Sequence, residues 1–327
     1  MQKYILPKKL ALGDEVRVIS PARSMSIISP SVRSIALKRL QALGLEVSFS
    51  KHCEECDAFS SSSASSRIED IHEAFSNPKV RAILTTIGGY NSIHLLHGID
   101  YQLIQKNPKI LCGYSDITTL QNAIFAKTGL VTFSGPHFST FGCLRGIEYV
   151  IDYFQKCLFS DQTLSVSPSE FWSDDEWYLN QENRLFITNP GLHVIQAGRA
   201  SGIIIGGNVD SLTVLQGTEF MPSLQNSILF LEDNYPMTAE IFDRHLHSLI
   251  LQRDFHGVKG IVIGRFQKAS NISMDDLTTI IHSKTALKSI PVIAGADFGH
   301  TLPLFTFPIG GRVEIDTSPE INLRFLP

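Results

Sequence analysis

Ser115 lies in the stretch CGYSDITTLQNAIFAKTG, where an apolar strand runs directly into a helix expected to start near Asp116 and end at Gly129. A serine at such an elbow stands out from the sheet edge, and the backbone N–H of Asp116 can face a developing oxyanion. The pattern G-x-S-x-G is incomplete, because position 117 is Ile117 rather than glycine. An N-cap role would account for the same serine. The run ending in Ile87 passes into Gly88-Gly89-Tyr90-Asn91, where glycines permit close backbone approach and Gly89 can offer a second oxyanion N–H. An ordinary strand-to-helix turn has the same composition. Glu232 follows the apolar run SILFL, and His300 closes ADFGH, each at the end of a strand-like segment. A serine nucleophile needs an imidazole to take its proton, and that imidazole needs an acid to hold its tautomer. Ser115, His300 and Glu232 supply one of each, although Glu232 or Asp233 could cap the following helix and His300 could satisfy a loop.

Other reactive residues form weaker constellations. His52 to Cys56 contains one C-x-x-C, without the second ligand pair that a structural zinc site needs. His245 and His247, two apart in an expected helix, point to different faces, and His94 and His97 lack a nearby carboxylate. No metal is expected, and no cofactor either, since no G-x-G-x-x-G follows a strand.

The elements that position these residues are legible as alternating patterns. Strands are expected over 16–22, 45–51, 80–89 and 109–115, with helices over 30–43 and 67–76 between them. This βαβα order implies a parallel sheet with helices on both faces, whose ligands sit beyond the strand C-termini. Periodicity fades between 150 and 195. A second α/β unit then supplies strands over 200–208, 227–234, 258–266 and 290–298, with a helix near 237–252. The expected division is therefore 1–155 with the nucleophile elbow, 156–195 as linker and substrate loop, and 196–327 with the glutamate and histidine.

The 327 residues, 43% hydrophobic and 18% charged, suffice for large cores, and two domains are the expectation at this length. A net charge of −4 without a basic run argues against nucleic acid. The first residues lack an apolar leader core, and no run reaches the roughly 18 apolar residues of a membrane span, so a cytoplasmic protein without a membrane partner is expected. The five cysteines, an odd number in a long chain, read as reduced thiols.

Taken in order, T-I-G-G-Y-N-S, G-Y-S-D-I-T, I-I-I-G-G-N, L-F-L-E-D and D-F-G-H-T resemble the LD-carboxypeptidase family, which includes microcin C immunity proteins. The resemblance implies a nucleophilic Ser115, a triad completed by Glu232 and His300, and oxyanion donors at the backbones of Gly89 and Asp116. It implies an N-terminal flavodoxin-like domain, a smaller C-terminal α/β domain of the swivelling β/β/α type, and a homodimer. The segment 171–178, with Trp172 and Trp177 among acids, looks like the extended loop of the immunity-protein branch, where a tryptophan stacks on a nucleobase. Packing of both indoles at the domain interface is the alternative. Asn208, closing I-I-I-G-G-N, joins the two tryptophans as an expected substrate-binding residue. The expected substrate is small and peptide-like: a peptidyl-nucleotide, or alternatively a murein tetrapeptide. A catalytically silent small-molecule binding protein on the same frame remains a third reading.

Overall fold

The computed structural model describes residues 4–327. The first half runs β1 (Glu15–Ile19), α1 (Pro30–Ala42), β2 (Glu46–Phe49), α2 (Ala64–Ser76), β3 (Val80–Thr85), α3 (Tyr101–Lys106), β4 (Ile110–Gly113), α4 (Ile117–Thr128), β5 (Thr132–Ser134) and α5 (Glu148–Leu158). The remainder runs β6 (Leu164–Ser165), β7 (Phe171–Trp172), β8 (Ile187–Thr188), β9 (His193–Gln196), β10 (Arg199–Asn208), α6 (Val209–Thr213), β11 (Ser227–Glu232), α7 (Ala239–Ile250), β12 (Gly260–Gly264), α8 (Met274–His282), β13 (Val292–Ala296), β14 (Phe307–Ile309), β15 (Arg312–Asp316) and β16 (Asn322–Leu326). No helix among the described residues is long and apolar enough to cross a membrane.

In the first sheet β2, β1, β3, β4 and β5 lie side by side and parallel. This is the flavodoxin-type order, and its direction reverses between β1 and β3, where the strand C-termini open a crevice. A sixth strand, β14, adds antiparallel to β5. Residues 307–309 therefore complete the first sheet, and a division at 196 does not run cleanly through the structure. The driving force is aromatic: Phe307 is fully buried against Phe230, Phe298 and Phe305, in a cluster that belongs to both sheets.

The second sheet has the order β6-β16-β15-β10-β11-β12-β13-β9, with β10 to β13 parallel at its centre and antiparallel strands on both flanks. The segment 156–195 is more ordered than a linker. The helix α5 reaches into it and buries Val150, Tyr153, Phe154, Cys157 and Leu158 along one stripe. Further on, β6 and β9 close the two edges of the second sheet, while β7 and β8 pair as a small hairpin.

Helix α4 fixes the two sheets relative to each other. It is buried along nearly its whole length, including Thr118, Gln121 and Asn122, which would be costly without hydrogen-bond partners. The Gln121 amide donates to the carbonyls of Gly113 and Phe133 in the first sheet, at 2.8 and 2.6 Å. Asn122 exchanges hydrogen bonds with the backbone of Gly206 in β10, and the Thr118 hydroxyl accepts from Asn208 N–H at 3.0 Å. The helix that starts at the serine elbow is thereby bolted to the strand next to β11, which carries Glu232.

Candidate active site

Ser115 lies two residues past the end of β4 and has φ +62°. The left-handed region costs a non-glycine residue roughly 1–2 kcal/mol, so surrounding contacts must hold it. They are the start of α4: Ile117 N–H donates to Tyr114 O at 3.3 Å and Thr118 N–H to Ser115 O at 2.9 Å. Asp116 ties the elbow to the loop after β3, accepting from Ser92 N–H at 2.9 Å while its own carbonyl accepts from Ser92 Oγ at 2.8 Å.

Glu232 ends β11 and is 2% exposed. His300 sits in the loop after β13, which passes so close that a Cβ on Gly299 would lie 2.5 Å from Glu232 Oε2; its φ of +112° also requires glycine. The structure brings the three side chains into one line. His300 Nδ1 is 2.8 Å from Glu232 Oε2, and His300 Nε2 is 3.0 Å from Ser115 Oγ. A carboxylate at Nδ1 assigns the proton there and leaves the Nε2 lone pair for the serine hydroxyl. Burial pulls the His300 pKa down, yet the charge and hydrogen bond of Glu232, helped by Asp233, outweigh it and hold the imidazole above its ordinary value.

Beside the serine, the N–H groups of Gly89 and Asp116 donate to no acceptor among the described residues. Such unengaged donors next to a nucleophile can receive an oxyanion. The closest approach is made by the preceding glycine: a Cβ on Gly88 would lie 2.8 Å from both Cβ and Oγ of Ser115. Gly88→Ala is therefore expected to displace the hydroxyl and lower kcat/KM about a hundredfold, the scale for a misplacement near 1 Å. Circular dichroism should be unchanged; an unaltered rate would show that Ser115 does not act from this position.

A cleft of about 460 Å³ opens over these groups, lined by Ser115, His300 and Gly89 together with Arg23, Tyr114, His137 and the segment 173–178. That segment is anchored where Ser173 and Leu302 exchange backbone hydrogen bonds at 2.7 and 2.8 Å, two residues beyond His300. Trp177 borders the cleft while packing partly against the core. Trp172 does not join it. Its ring lies under Arg265 and Lys268, 4.9 and 5.5 Å from the centroid, in a separate hollow. Asn208 is not among the residues that line the cleft. It is buried, its amide donating to Asp233 Oδ1 at 2.9 Å and its side-chain oxygen capping α6 through Ser211 N–H at 2.9 Å.

Sequence reasoning passed over His137, which is 2% exposed and stacks on Tyr114 with ring centroids 4.3 Å apart. The Tyr114 ring also lies 5.3 Å from that of His300. Burial and the nearby His300 push the His137 pKa down to about 3, so it stays neutral. Its position after a strand, in G-P-H, was the available signal. Among the described residues no cluster of three or more His, Cys, Asp or Glu could hold a metal.

Two family models match the chain: the LD-carboxypeptidase N-terminal domain over residues 16–135 and the C-terminal domain over 201–315. The chain belongs to the LD-carboxypeptidase family and is a serine peptidase of carboxypeptidase type. It is similar to an MccF-like protein of Bacillus anthracis, whose crystal structure superposes with a TM-score of 0.97 at 55% identity over 98% of this chain and 99% of that one. The microcin C7 self-immunity protein MccF of Escherichia coli is 32% identical, covering 95% of this chain and 93% of its own. Its structure in complex with aspartyl sulfamoyl adenosine superposes with a TM-score of 0.90, over 99% of this chain and 98% of that one. A Bacillus subtilis protein named "Probable murein peptide carboxypeptidase" is also 32% identical, over 95% of this chain and 92% of its own.

Proposed function

We propose that the chain hydrolyses an amide bond of a peptidyl-nucleotide with Ser115 as nucleophile. The observation that carries the chemistry is the continuous line Ser115 Oγ, His300 Nε2, His300 Nδ1, Glu232 Oε2 beside two unengaged backbone N–H groups. Ser115 Oγ attacks the carbonyl as His300 Nε2 takes its proton, and Gly89 and Asp116 N–H stabilise the oxyanion. Collapse expels the amine, which takes that proton from His300. Water, activated by the same imidazole, then releases the acyl group and restores Ser115.

Support for a nucleotide comes from Trp177, whose indole borders the cleft, and from the MccF relative solved with an aminoacyl sulfamoyl adenosine. The murein tetrapeptide reading keeps its own support, because a relative named for murein peptides is as similar as MccF itself. Offering a peptidyl-adenylate analogue and an L,D-linked muropeptide to one preparation decides between them.

Trp177→Ala sharpens that comparison. Stacking on a base is worth about 1–3 kcal/mol, so peptidyl-nucleotide hydrolysis should weaken roughly tenfold to a hundredfold. A substrate lacking the base should be almost unaffected, and Trp172→Ala should leave the ratio unchanged. Equal losses on both substrates would assign Trp177 to packing alone and favour the murein reading.

A further inference from the structure

The cleft is electrically lopsided. Arg23, just beyond the C-terminal end of β1 at the switch point of the first sheet, is the one arginine or lysine among the described residues lining it. Its guanidinium forms no ion pair and no hydrogen bond with any described residue; it lies over the Tyr90 ring at 5.9 Å. The backbone beneath is well fixed. Arg23 N–H donates to Gly88 O at 3.3 Å and its carbonyl accepts from Thr86 Oγ1 at 3.2 Å, so the side chain springs from beside the oxyanion loop. Gly89 is in contact with it, since a Cβ there would lie 3.3 Å from Arg23 Cγ.

Asp174, Asp175 and Glu176 also line the cleft, on the segment that follows β7. Asp175 is held by Arg184 at 2.5 Å and Asp174 faces Lys268 at 3.7 Å, whereas the Glu176 carboxylate meets, among the described residues, only the Tyr178 hydroxyl, at 2.9 Å. An anion entering this space is repelled by one segment and has a single uncommitted cation to meet.

We propose that Arg23 is a specificity-determining residue that binds an anionic oxygen group of the substrate, a carboxylate or a phosphate, close to the scissile amide. The assignment rests on the hydrolase reading above and names what that cleft selects.

The test uses the whole chain and two substrate pairs: a peptide amide with a free terminal carboxylate beside its carboxamide, and a peptidyl-nucleotide beside the uncharged peptidyl-nucleoside. Arg23→Ala should raise KM for a charged member about tenfold to a hundredfold, the range for losing a hydrogen bond to a charged group. It should leave kcat and the neutral member unchanged, and Arg23→Lys should recover part of the loss. Loss confined to the carboxylate pair identifies a peptide terminus; loss confined to the nucleotide pair identifies the phosphate. Equal effects on charged and neutral members, or no effect, overturn the proposal. Calorimetric binding of the same ligands to Ser115→Ala, with and without Arg23→Ala, reads the discrimination without turnover. Arg23-dependent binding in a chain whose parent cleaves neither class would overturn the hydrolase reading and leave Arg23 only as the anion-binding residue of the cleft.

Discussion

Ser115→Ala is expected to lower kcat by about ten-thousandfold to a millionfold, the range seen when a serine triad loses its nucleophile. The protein should stay folded and keep its ligand. Alanine keeps a Cβ at φ +62° and leaves the α4 start untouched, so the melting temperature should move little. Ser115→Gly separates chemistry from strain. Glycine occupies the left-handed region freely, so this second inactive variant should be more stable by about 1 kcal/mol, less the entropy that glycine loses on folding. Turnover within tenfold of the parent by either variant would remove Ser115 from the mechanism.

For Glu232→Gln a fall in kcat of about ten-thousandfold is expected, the scale of the aspartate-to-asparagine change in a serine triad. The pH profile gives a second readout. His300 must be neutral to accept the serine proton, and Glu232 and Asp233 hold its pKa above the ordinary imidazole value of about 6.5. Activity should therefore fall as pH drops through a midpoint above 6.5, and Glu232→Gln should move that midpoint down. Two neighbours can be told apart from His300. His137, pushed down to about 3, stays neutral across the range and contributes no limb. Asp233, pushed up to about 6 by burial and the Glu232 charge, does titrate nearby. Asp233→Asn should move the acid limb down while preserving most of the rate. A limb that stays in place in Glu232→Gln would assign it to a group other than His300.

The serine elbow and the strands leading to Glu232 and His300 were legible because each is an apolar run ending abruptly in polar or glycine residues. That signal is local. Helix α5 was hidden by its position: Val150 to Leu158 carries a clear helical stripe, but it straddles the point where the acids and turn formers of the following loop dilute the pattern. The short edge strands β6 to β9 carry too few residues for a period to show, and they exist through pairing with the second sheet and with one another. Trp172 and Trp177 are five apart in one loop, and nothing in their immediate sequence says which faces the cleft. The Ser173–Leu302 backbone bonds decide it by clamping the loop between them. Asn208 is the reverse case. A polar residue after two glycines looks available to a ligand, while its partner Asp233 lies just past the end of β11 and is invisible to local reading.

The return of β14 to the edge of β5 bears on the order in which a growing chain can become active. While it emerges from a ribosome, the first sheet can assemble from β1 to β5, but the edge of β5 stays open until residues 307–309 arrive. An open edge recruits other strands. His300 arrives only a few residues before the strand that closes this edge, so the hydrolytic machinery and the seal over the nascent sheet are finished in nearly the same interval of translation. A ribosome-bound chain stalled before residue 300 should accordingly be inert and prone to self-association, and a fragment ending at residue 155 should behave as a sticky intermediate rather than as a detachable domain.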